Sequence, residues 1–470
     1  MKKILLAALN ARYSHSNPAL LYLRRAAEGL PFDVQIAEFS INKDVDSLAD
    51  YLIAERPSVI GLSVYIWNSL YVKQLIPIIN KHLPECIIIL GGPDVSFSAH
   101  EWLREFPYIN YIITGPGEAA FRLLLEQNLE YHEKIISGQN PHFSEIPFPY
   151  IEADFTRLAN RYIYYESTRG CPFACSFCLS SRRDTRLEYR KINDVQTELN
   201  FLVQSKPRYI KFVDRTFNAN KKHSQSIWQH IIDNYSQTET CFHFEIFPQL
   251  LDDEDFLILK KARAGLLQFE AGIQSIHEST LEAVNRKSTW IETKNVLLRL
   301  LHETNIHLHV DLIAGLPFEN LTAFAESFNE VYGLHAHHFQ PGFLKVLPGT
   351  EIRERKDEFG LLFDEQPPYA ILSNKWLSVT EIELIHNMEH ALNALYNSFA
   401  FNTTLEVLEE VFGSPFNLFQ EITLYIMKSD IQISRDRYKW VTLIQDFIAA
   451  KNLKFLARIN DALKRDKLIM

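Results

Sequence analysis

Cysteine is scarce in this chain. Its 470 residues include five, Cys86, Cys171, Cys175, Cys178 and Cys241, and an odd number with three inside eight residues is not the framework of a disulfide-stapled secreted protein. A reducing compartment, the cytoplasm, is the expectation. Glycine is scarce as well: sixteen residues are about half the usual share of roughly 7%, so each glycine is expected to answer a local need of the backbone. Long apolar runs are missing. Nothing approaches the roughly 18 residues of a membrane span, and no membrane partner is expected. The N-terminal MKKILLAALNARYSH imitates a signal peptide only from Ile4 to Leu9, before Asn10 and Arg12 interrupt it, and reads as a first β-strand. Positive charge is in deficit, at a net −10, which argues against nucleic acid as a partner. The basic C-terminal stretch KNLKFLARINDALKRDKL reads as the solvated face of a helix. What is present, 47% hydrophobic and 23% charged residues, suits a globular protein of two or three domains.

The apolar runs fall into two β/α series. Residues 1–137 alternate KKILLAALN, DVQIAEFS, SVIGLSVYIWN, CIIIL and YIITG with helical patterns, which makes five β/α units and an open, doubly wound parallel sheet. Gly91 and Gly92 follow the fourth strand, Gly115 and Gly117 the fifth, and such sheets bind ligands at these carboxyl ends. Residues 138–160 hold three prolines and no clear period, so they read as a linker. Residues 161–350 carry YIYYEST, RYIKFVD, FHFEIF, LLQFEAGIQS, HLHVDLIAGLP and HHFQPGFLKVL, six units that suggest a barrel, complete or partial. Residues 351–470 read as a helical domain. The expected fold class is α/β: an N-terminal doubly wound parallel sheet, a central partial (β/α)6 TIM-like barrel and a helical C-terminal domain.

The segment ESTRGCPFACSFCLSS places Cys171, Cys175 and Cys178 in the spacing CxxxCxxC, just past the first strand of the second series. Three thiolates on one tight loop can ligate three irons of a cubane cluster and leave the fourth without a protein ligand. Pro172 stiffens the loop, and Phe177 precedes the last cysteine. From the residues alone, a zinc site completed from elsewhere and a redox loop compete with this reading.

This spacing, with an aromatic before the third cysteine and a β/α barrel around it, resembles the radical S-adenosylmethionine (SAM) superfamily. FEAGIQS, VNRKS and DLIAGLP resemble strand ends of the branch that contains oxygen-independent coproporphyrinogen dehydrogenases and cobalamin-binding radical enzymes. GLSVYIWNS, LGGPDVS and TGPGEAAF resemble the cobalamin-binding domain of the cobalamin-dependent enzymes. PPYAILSNKWLS and the helical tail resemble a C-terminal domain of unassigned function found in one of its groups. The resemblance covers nearly the whole chain. It implies a [4Fe-4S] cluster on Cys171, Cys175 and Cys178, SAM chelated to the open iron and cleaved reductively to a 5′-deoxyadenosyl radical, and cobalamin as a second cofactor. It implies a SAM pocket from Tyr165, Val213, Asp214, Glu245, Gln274, Arg286 and Asp311, with Val213 and Asp214 standing where the family has a glycine-rich pair. For cobalamin it points to Ser63, Gly91, Gly92, Gly115, Gly117 and Glu118. The lower-ligand motif DxHxxG is absent. His15, the only imidazole near the first strand, reads as a loop histidine, so cobalamin without a protein lower ligand is the expectation.

Strand alternation gives partial independent support. It puts His243 with Glu245, Glu270 with Gly272 and Gln274, and His307 with His309 and Asp311 on common faces. Barrel interiors are filled mainly by branched apolar side chains, so an inward polar set needs partners or a ligand. Lys211 can neutralise one of the acids. His335, His337 and His338 read as solvated or packing residues, and Cys241 as buried packing. One cluster is the limit: methylthiotransferases resemble this domain order but carry three cysteines in the N-terminal domain, where this chain has only Cys86. The functional expectation is an oxygen-sensitive radical SAM enzyme that methylates or rearranges a small-molecule or modified-macromolecule substrate, fed by an electron donor such as flavodoxin or ferredoxin. A radical SAM enzyme that has lost cobalamin and a noncatalytic iron–sulfur or cobalamin sensor are the alternatives, although a sensor has no need of a SAM pocket.

Overall fold

A computed structural model describes residues 1–139, 142–181, 187–429 and 436–469; residues 140 and 141 of the expected linker lie outside them. The first sheet contains β1 (Lys2–Asn10), β2 (Phe32–Ser40), β3 (Val59–Ser63), β4 (Ile87–Gly91), β5 (Tyr111–Thr114) and β6 (Ile135–Ser137), in the order β2-β1-β3-β4-β5-β6. Every pairing in it is parallel. Helices α1 (Pro18–Ala26), α2 (Val45–Ala54), α3 (Ser69–His82), α4 (Ala99–Glu105) and α5 (Glu118–Glu126) cover it. The unbroken apolar run of β1 is explained by burial on both faces. Leu5, Ala7 and Leu9 pack with Leu52, Ile76 and Trp102 on one side, and Ile4, Leu6 and Ala8 with Leu20, Phe121 and Leu124 on the other. The sheet has six strands rather than five. The extra one, β6, is a three-residue edge strand too short to register as a period. The strand order reverses at β1 and β3, so their carboxyl ends frame the crevice where such sheets bind ligands.

The second sheet contains β7 (Ile163–Tyr165), β8 (Tyr209–Phe212), β9 (Cys241–Ile246), β10 (Leu267–Gln274), β11 (His307–Ala314) and β12 (His338–Phe343), parallel throughout and ordered from β7 to β12. Among the described residues β7 and β12 do not pair, so the barrel is partial. Between and after the strands run α6 (Ile192–Gln204), α7 (Lys221–Tyr235), α8 (Asp253–Leu259), α9 (Trp290–Glu303) and α10 (Leu321–Tyr332). Alternation in β10 and β11 is strict. Leu267, Phe269, Ala271 and Ile273, and Leu308, Val310, Leu312 and Ala314, are buried, while Glu270, Gly272, Gln274, His307, His309 and Asp311 occupy the opposite face. Burying one large apolar side chain is worth about 1.5–3 kcal/mol. A one-residue slip would expose that whole set and bury the acids, so the register is tightly specified.

The C-terminal region begins with a two-stranded antiparallel element, Leu362–Phe363 with Ile371–Ser373, which the helical pattern did not announce. Helices α11 (Val379–Leu395), α12 (Asn402–Phe412), α13 (Pro415–Lys428), α14 (Arg437–Asn452) and α15 (Leu456–Arg465) follow. A capping box between Ser378 and Glu381 starts α11. Just past its end, Asn397 serves the open edge of β12: the Phe339 amide donates to Asn397 Oδ1 and Asn397 Nδ2 donates to the Phe339 carbonyl, both at 2.9 Å. One side-chain amide thus occupies the place a neighbouring strand would take. These helices share one hydrophobic core with the barrel. The basic terminal helix meets acids of its neighbours, as in Arg458 with Glu410 at 2.5 Å. Among the described residues no helix is long and apolar enough to cross a membrane.

Candidate active site

The three cysteines lie on the loop past β7, beyond a short antiparallel ladder of Thr168–Arg169 with Glu188–Tyr189. The Cys178 amide closes a turn on the Cys175 carbonyl at 3.1 Å. Backbone bonds of 2.9 Å fasten the loop from two sides, Ser176 N–H to the Val284 carbonyl and Ile352 N–H to the Ser176 carbonyl, and Phe173 stacks on Phe247 at 4.3 Å. The Thr216 hydroxyl is 3.5 Å from Cys171 Sγ, and Arg286 Nη1 is 3.8 Å from Cys175 Sγ. Burial raises the Cys175 thiol, Arg286 opposes that, and Cys178 and Cys171 add to it as neighbouring charges. The other two cysteines are elsewhere. Cys86 packs in the first sheet and Cys241 starts β9, half-buried on the His243 face; burial pushes each thiol up to about 11. All five are described, and none forms a disulfide. Three neighbouring sulfurs beside a guanidinium fit a three-thiolate cluster. Among the described residues, Glu270, His309 and Asp311 bring their ligand atoms within 4.8 Å of one another.

The residues beside this loop come from three strand ends. Arg286 donates through Nη2 to the Gly272 carbonyl and lies over the Phe247 ring at 5.0 Å. Gln274 sits at a register break of β10 with φ +72°, and its side chain folds back over Gly272, where a Cβ would lie 2.1 Å from Gln274 Nε2. Two buried atoms here, Gln274 Oε1 and Arg286 Nε, have no hydrogen-bond partner, an arrangement that costs free energy unless a polar ligand satisfies it. This fits SAM. Burial pushes the Glu245 carboxyl up to about 7, opposed by Arg215 at 3.6 Å. Asp311 is raised by burial and opposed by His309, whose Nε2 is 3.0 Å away.

Below them the inward face is polar. Glu270 accepts from His243 Nε2 at 3.1 Å, and against its burial this bond and the nearby His309 hold its carboxyl well below the usual range. His309 lies edge to face with His338 at 4.2 Å, and burial lowers His307 and His338 to about 4. His338 therefore belongs to the interior, not to solvent. His337 is a packing residue whose Nδ1 accepts from the Leu308 amide at 3.1 Å. Lys211 lies over the Tyr162 ring at 5.0 Å and acts on Glu270 only at a distance.

Two expected SAM contacts, Tyr165 and Asp214, are not brought into this group by their side chains. Tyr165 is in the helix-side core, its hydroxyl donating to Glu198 Oε2 at 2.5 Å. Asp214 is fully buried and accepts from the Ser167 amide at 3.0 Å and the Ser167 hydroxyl at 2.5 Å; burial pushes its carboxyl up to about 7. Val213 pairs its amide with the Tyr165 carbonyl at 2.9 Å. The parity of β7 and β8 dictates this, since Tyr165 shares a face with Ile163, and Asp214 with Ile210 and Phe212.

At the first sheet, Ser63 accepts from Asn17 Nδ2 at 3.1 Å. Gly92 has φ +116°, and a Cβ there would lie 2.4 Å from the Val64 carbonyl, so the chain itself demands this glycine. Gly91 ends β4, Gly115 donates to Ser96 Oγ at 3.2 Å, and Gly117 precedes α5. These small residues leave the strand ends low, as a flat macrocycle with a nucleotide tail requires. Glu118 is otherwise engaged: it pairs with Arg169 at 2.6 Å, and Arg169 also reaches Glu166 at 3.0 Å. His15 Nδ1 is 2.6 Å from the Tyr164 hydroxyl, so this loop histidine joins the first sheet to the barrel. Sequence reasoning missed Arg169 and Thr216, whose partners Glu118 and Cys171 lie 51 and 45 residues away in the chain.

Comparison with known proteins divides the chain among three family models. Residues 4–125 match the B12 binding domain, 165–331 the radical SAM superfamily, and 357–470 a domain of unknown function, DUF4080. The chain is 24% identical over 351 residues to the cobalamin-dependent radical SAM methyltransferase TokK of Streptomyces tokunonensis, covering 67% of this chain and 51% of that protein. It is 27% identical over 263 residues to an anaerobic magnesium-protoporphyrin IX monomethyl ester cyclase of Synechocystis, covering 50% and 51%. The chain thus spans about half the length of these curated relatives. In fold it is similar to the cobalamin-dependent radical enzyme OxsB with aqua-cobalamin and SAM bound, with TM-score 0.69, 14% identity, and coverage of 100% of this chain and 82% of that one. It is also similar to the methyltransferase TsrM from Kitasatospora setae, with TM-score 0.63, 17% identity and 77% of each chain. The cofactors of such a domain set are a [4Fe-4S] cluster, SAM and cobalamin. The chain thus carries a B12 binding domain, a radical SAM superfamily domain and a C-terminal domain of unknown function, the composition of a cobalamin-binding radical SAM protein.

Proposed function

We propose that this protein is an enzyme that cleaves SAM reductively to a 5′-deoxyadenosyl radical and, with cobalamin, methylates or rearranges a small molecule held in the barrel. The observation that carries the reading is Arg286, which bridges Cys175 Sγ and the Gly272 strand end beside two orphaned buried polar atoms. When bound, the three cofactors supply one-electron and alkyl-transfer chemistry; the chain supplies the rest. Cys171, Cys175 and Cys178 hold the cluster. Gln274, Arg286, Glu245 and Asp311 bind SAM by hydrogen bonds and charge. Phe173, Phe247 and Phe177 keep water from the reacting centre. Tyr165, Val213 and Asp214 act as positioning residues, since Asp214 holds Ser167 at the entry to the cysteine loop. Ser63, Gly91, Gly92, Gly115 and Gly117 form the cobalamin edge, with Glu118 bracing it against Arg169. The working division is 1–137, 138–160, 161–350 and 351–470, and the setting is the cytoplasm with a flavodoxin- or ferredoxin-like electron donor. The test is anaerobic reconstitution followed by assay for 5′-deoxyadenosine. Formation that depends on reductant and SAM is expected, and an intact, reduced cluster that yields none overturns the proposal. Retention of hydroxocobalamin, read by absorbance, tests the second cofactor separately.

A further inference from the structure

We propose that the C-terminal domain completes the substrate cavity, and that Glu389 and Lys345 read the opposite charges of a small zwitterion with an ammonium and a carboxylate, as in a free amino acid. The inference rests on the enzymatic reading above and names its substrate class. A cavity of about 510 Å³ runs from Phe177, beside the last cysteine, across the inward strand ends to α11. That is the size of a small-molecule site. Gln274 and Asp311, at one side, belong to the SAM surface. The rest of the polar lining comes from Glu270, Gln340, Lys345 and Glu389.

Lys345 follows β12, the free edge of the barrel, and Glu389 is contributed by α11. Lys345 is exposed and Glu389 half-buried. Neither side chain has an ion-pair or hydrogen-bond partner among the described residues, although acids and bases elsewhere in the chain pair widely. The helix that carries Glu389 is held firmly. His386 stacks on Phe343 of β12 at 5.1 Å, the Tyr396 hydroxyl donates to the Ala336 carbonyl at 2.7 Å, and Asn397 clamps Phe339. Glu389 lies one turn past His386 and two turns before Tyr396 on the same stripe. Asn397 is about 12 Å further along at 1.5 Å per residue. From its half-buried place on that stripe, Glu389 lines the cavity. One unpaired anion, one unpaired cation and the Gln340 amide in the lining of one cavity suit a ligand with both charges. A ligand with a single charge would leave one of them without a counterpart.

The experiment uses the holoprotein, reconstituted anaerobically with cluster and cobalamin. Free α-amino acids, their N-acetyl derivatives and their amides are titrated calorimetrically, with SAM titrated separately, and 5′-deoxyadenosine formation is followed in parallel. At least one free amino acid is expected to bind and to stimulate SAM cleavage, with capping of either end weakening it about 10- to 100-fold, the worth of one charge-assisted hydrogen bond. Glu389→Gln should weaken the free form by that factor and leave the N-acetyl form unchanged, and Lys345→Met should do the same with respect to the amide. Glu383→Gln, on the exposed face of the same helix, should change nothing. SAM affinity should stay within about twofold throughout. If no free amino acid binds while 5′-deoxyadenosine still forms, the inference fails and the enzymatic reading survives. If Glu389→Gln weakens SAM as much as the amino acid, the two charges serve SAM and the inference is overturned. If no 5′-deoxyadenosine forms at all, the enzymatic reading fails, and calorimetry alone still decides what the cavity binds.

Discussion

Replacing Gly272 by alanine should separate the SAM surface from the fold. A Cβ there would lie 2.1 Å from Gln274 Nε2, 3.2 Å from Gln274 Cδ and 3.8 Å from Arg286 Nη2. The first two atoms belong to the free end of a side chain, so the clash is relieved by turning Gln274 away, not by moving the strand. An off-rotamer side chain costs about 0.5–1.5 kcal/mol. Against that, Gly272 is not in the left-handed region, and alanine reduces the freedom of the unfolded chain by about 0.4–1 kcal/mol. Net stability should stay within about 1 kcal/mol of the parent. Binding should not. The displaced amide would lose one hydrogen bond to SAM, and the crowded Arg286 part of another, together about 1.5–3 kcal/mol, which is roughly 10- to 100-fold in affinity. The assay is a SAM titration of the anaerobic protein beside its iron content and thermal unfolding. Weakened SAM binding with iron and melting temperature preserved is expected. Unchanged SAM affinity in a folded, iron-replete variant would refute the assignment of Gln274 and Arg286 to SAM.

Two further perturbations follow from the same geometry. Asn397→Ala leaves both backbone groups of Phe339 without their partner, at a cost of about 1–3 kcal/mol; hydrogen exchange across β12 should quicken roughly five- to hundredfold, and unchanged exchange would mean that α11 is not held through this clamp. Asp214 is raised from 3.8 to about 7 by burial, so between those pH values the folded chain holds a proton the unfolded chain has lost, and stability falls as pH rises through that window. Asp214→Asn should flatten the decline of melting temperature from about pH 4 to pH 7, and a slope equal to the parent's would show that Asp214 is not the group responsible.

Much of the barrel was legible because polar and apolar residues alternate along β10 and along β11 as far as Asp311, so Glu270, His309 and Asp311 could be assigned to the inward face before any coordinates. The same parity was available for Tyr165 and Asp214 and would have turned both toward the helices, but a motif position was given precedence over the period. Glu118 could not be read: its partner Arg169 is 51 residues away, and only the packing of the first sheet on the barrel brings them to 2.6 Å. Glu389 was invisible for a similar reason. An acid on a helical stripe acquires meaning only when the helix docks on an open sheet edge, and that docking depends on Asn397 and Tyr396, which carry no motif. His338 stood in a histidine-rich run that resembles a solvated turn, and its inward position follows from the register His309 to His338.

The central claim is that three thiolates of one loop hold a cluster with an iron open to SAM. Electron paramagnetic resonance of the reduced, anaerobically reconstituted protein, with and without SAM and with metal and sulfide counted, tests it most directly. The account predicts about four irons per chain and a spectrum that changes when SAM is added. Both should be lost on changing Cys171, Cys175 or Cys178 to alanine and kept on changing Cys86 or Cys241. A single bound metal ion, or a cluster spectrum indifferent to SAM, would contradict it.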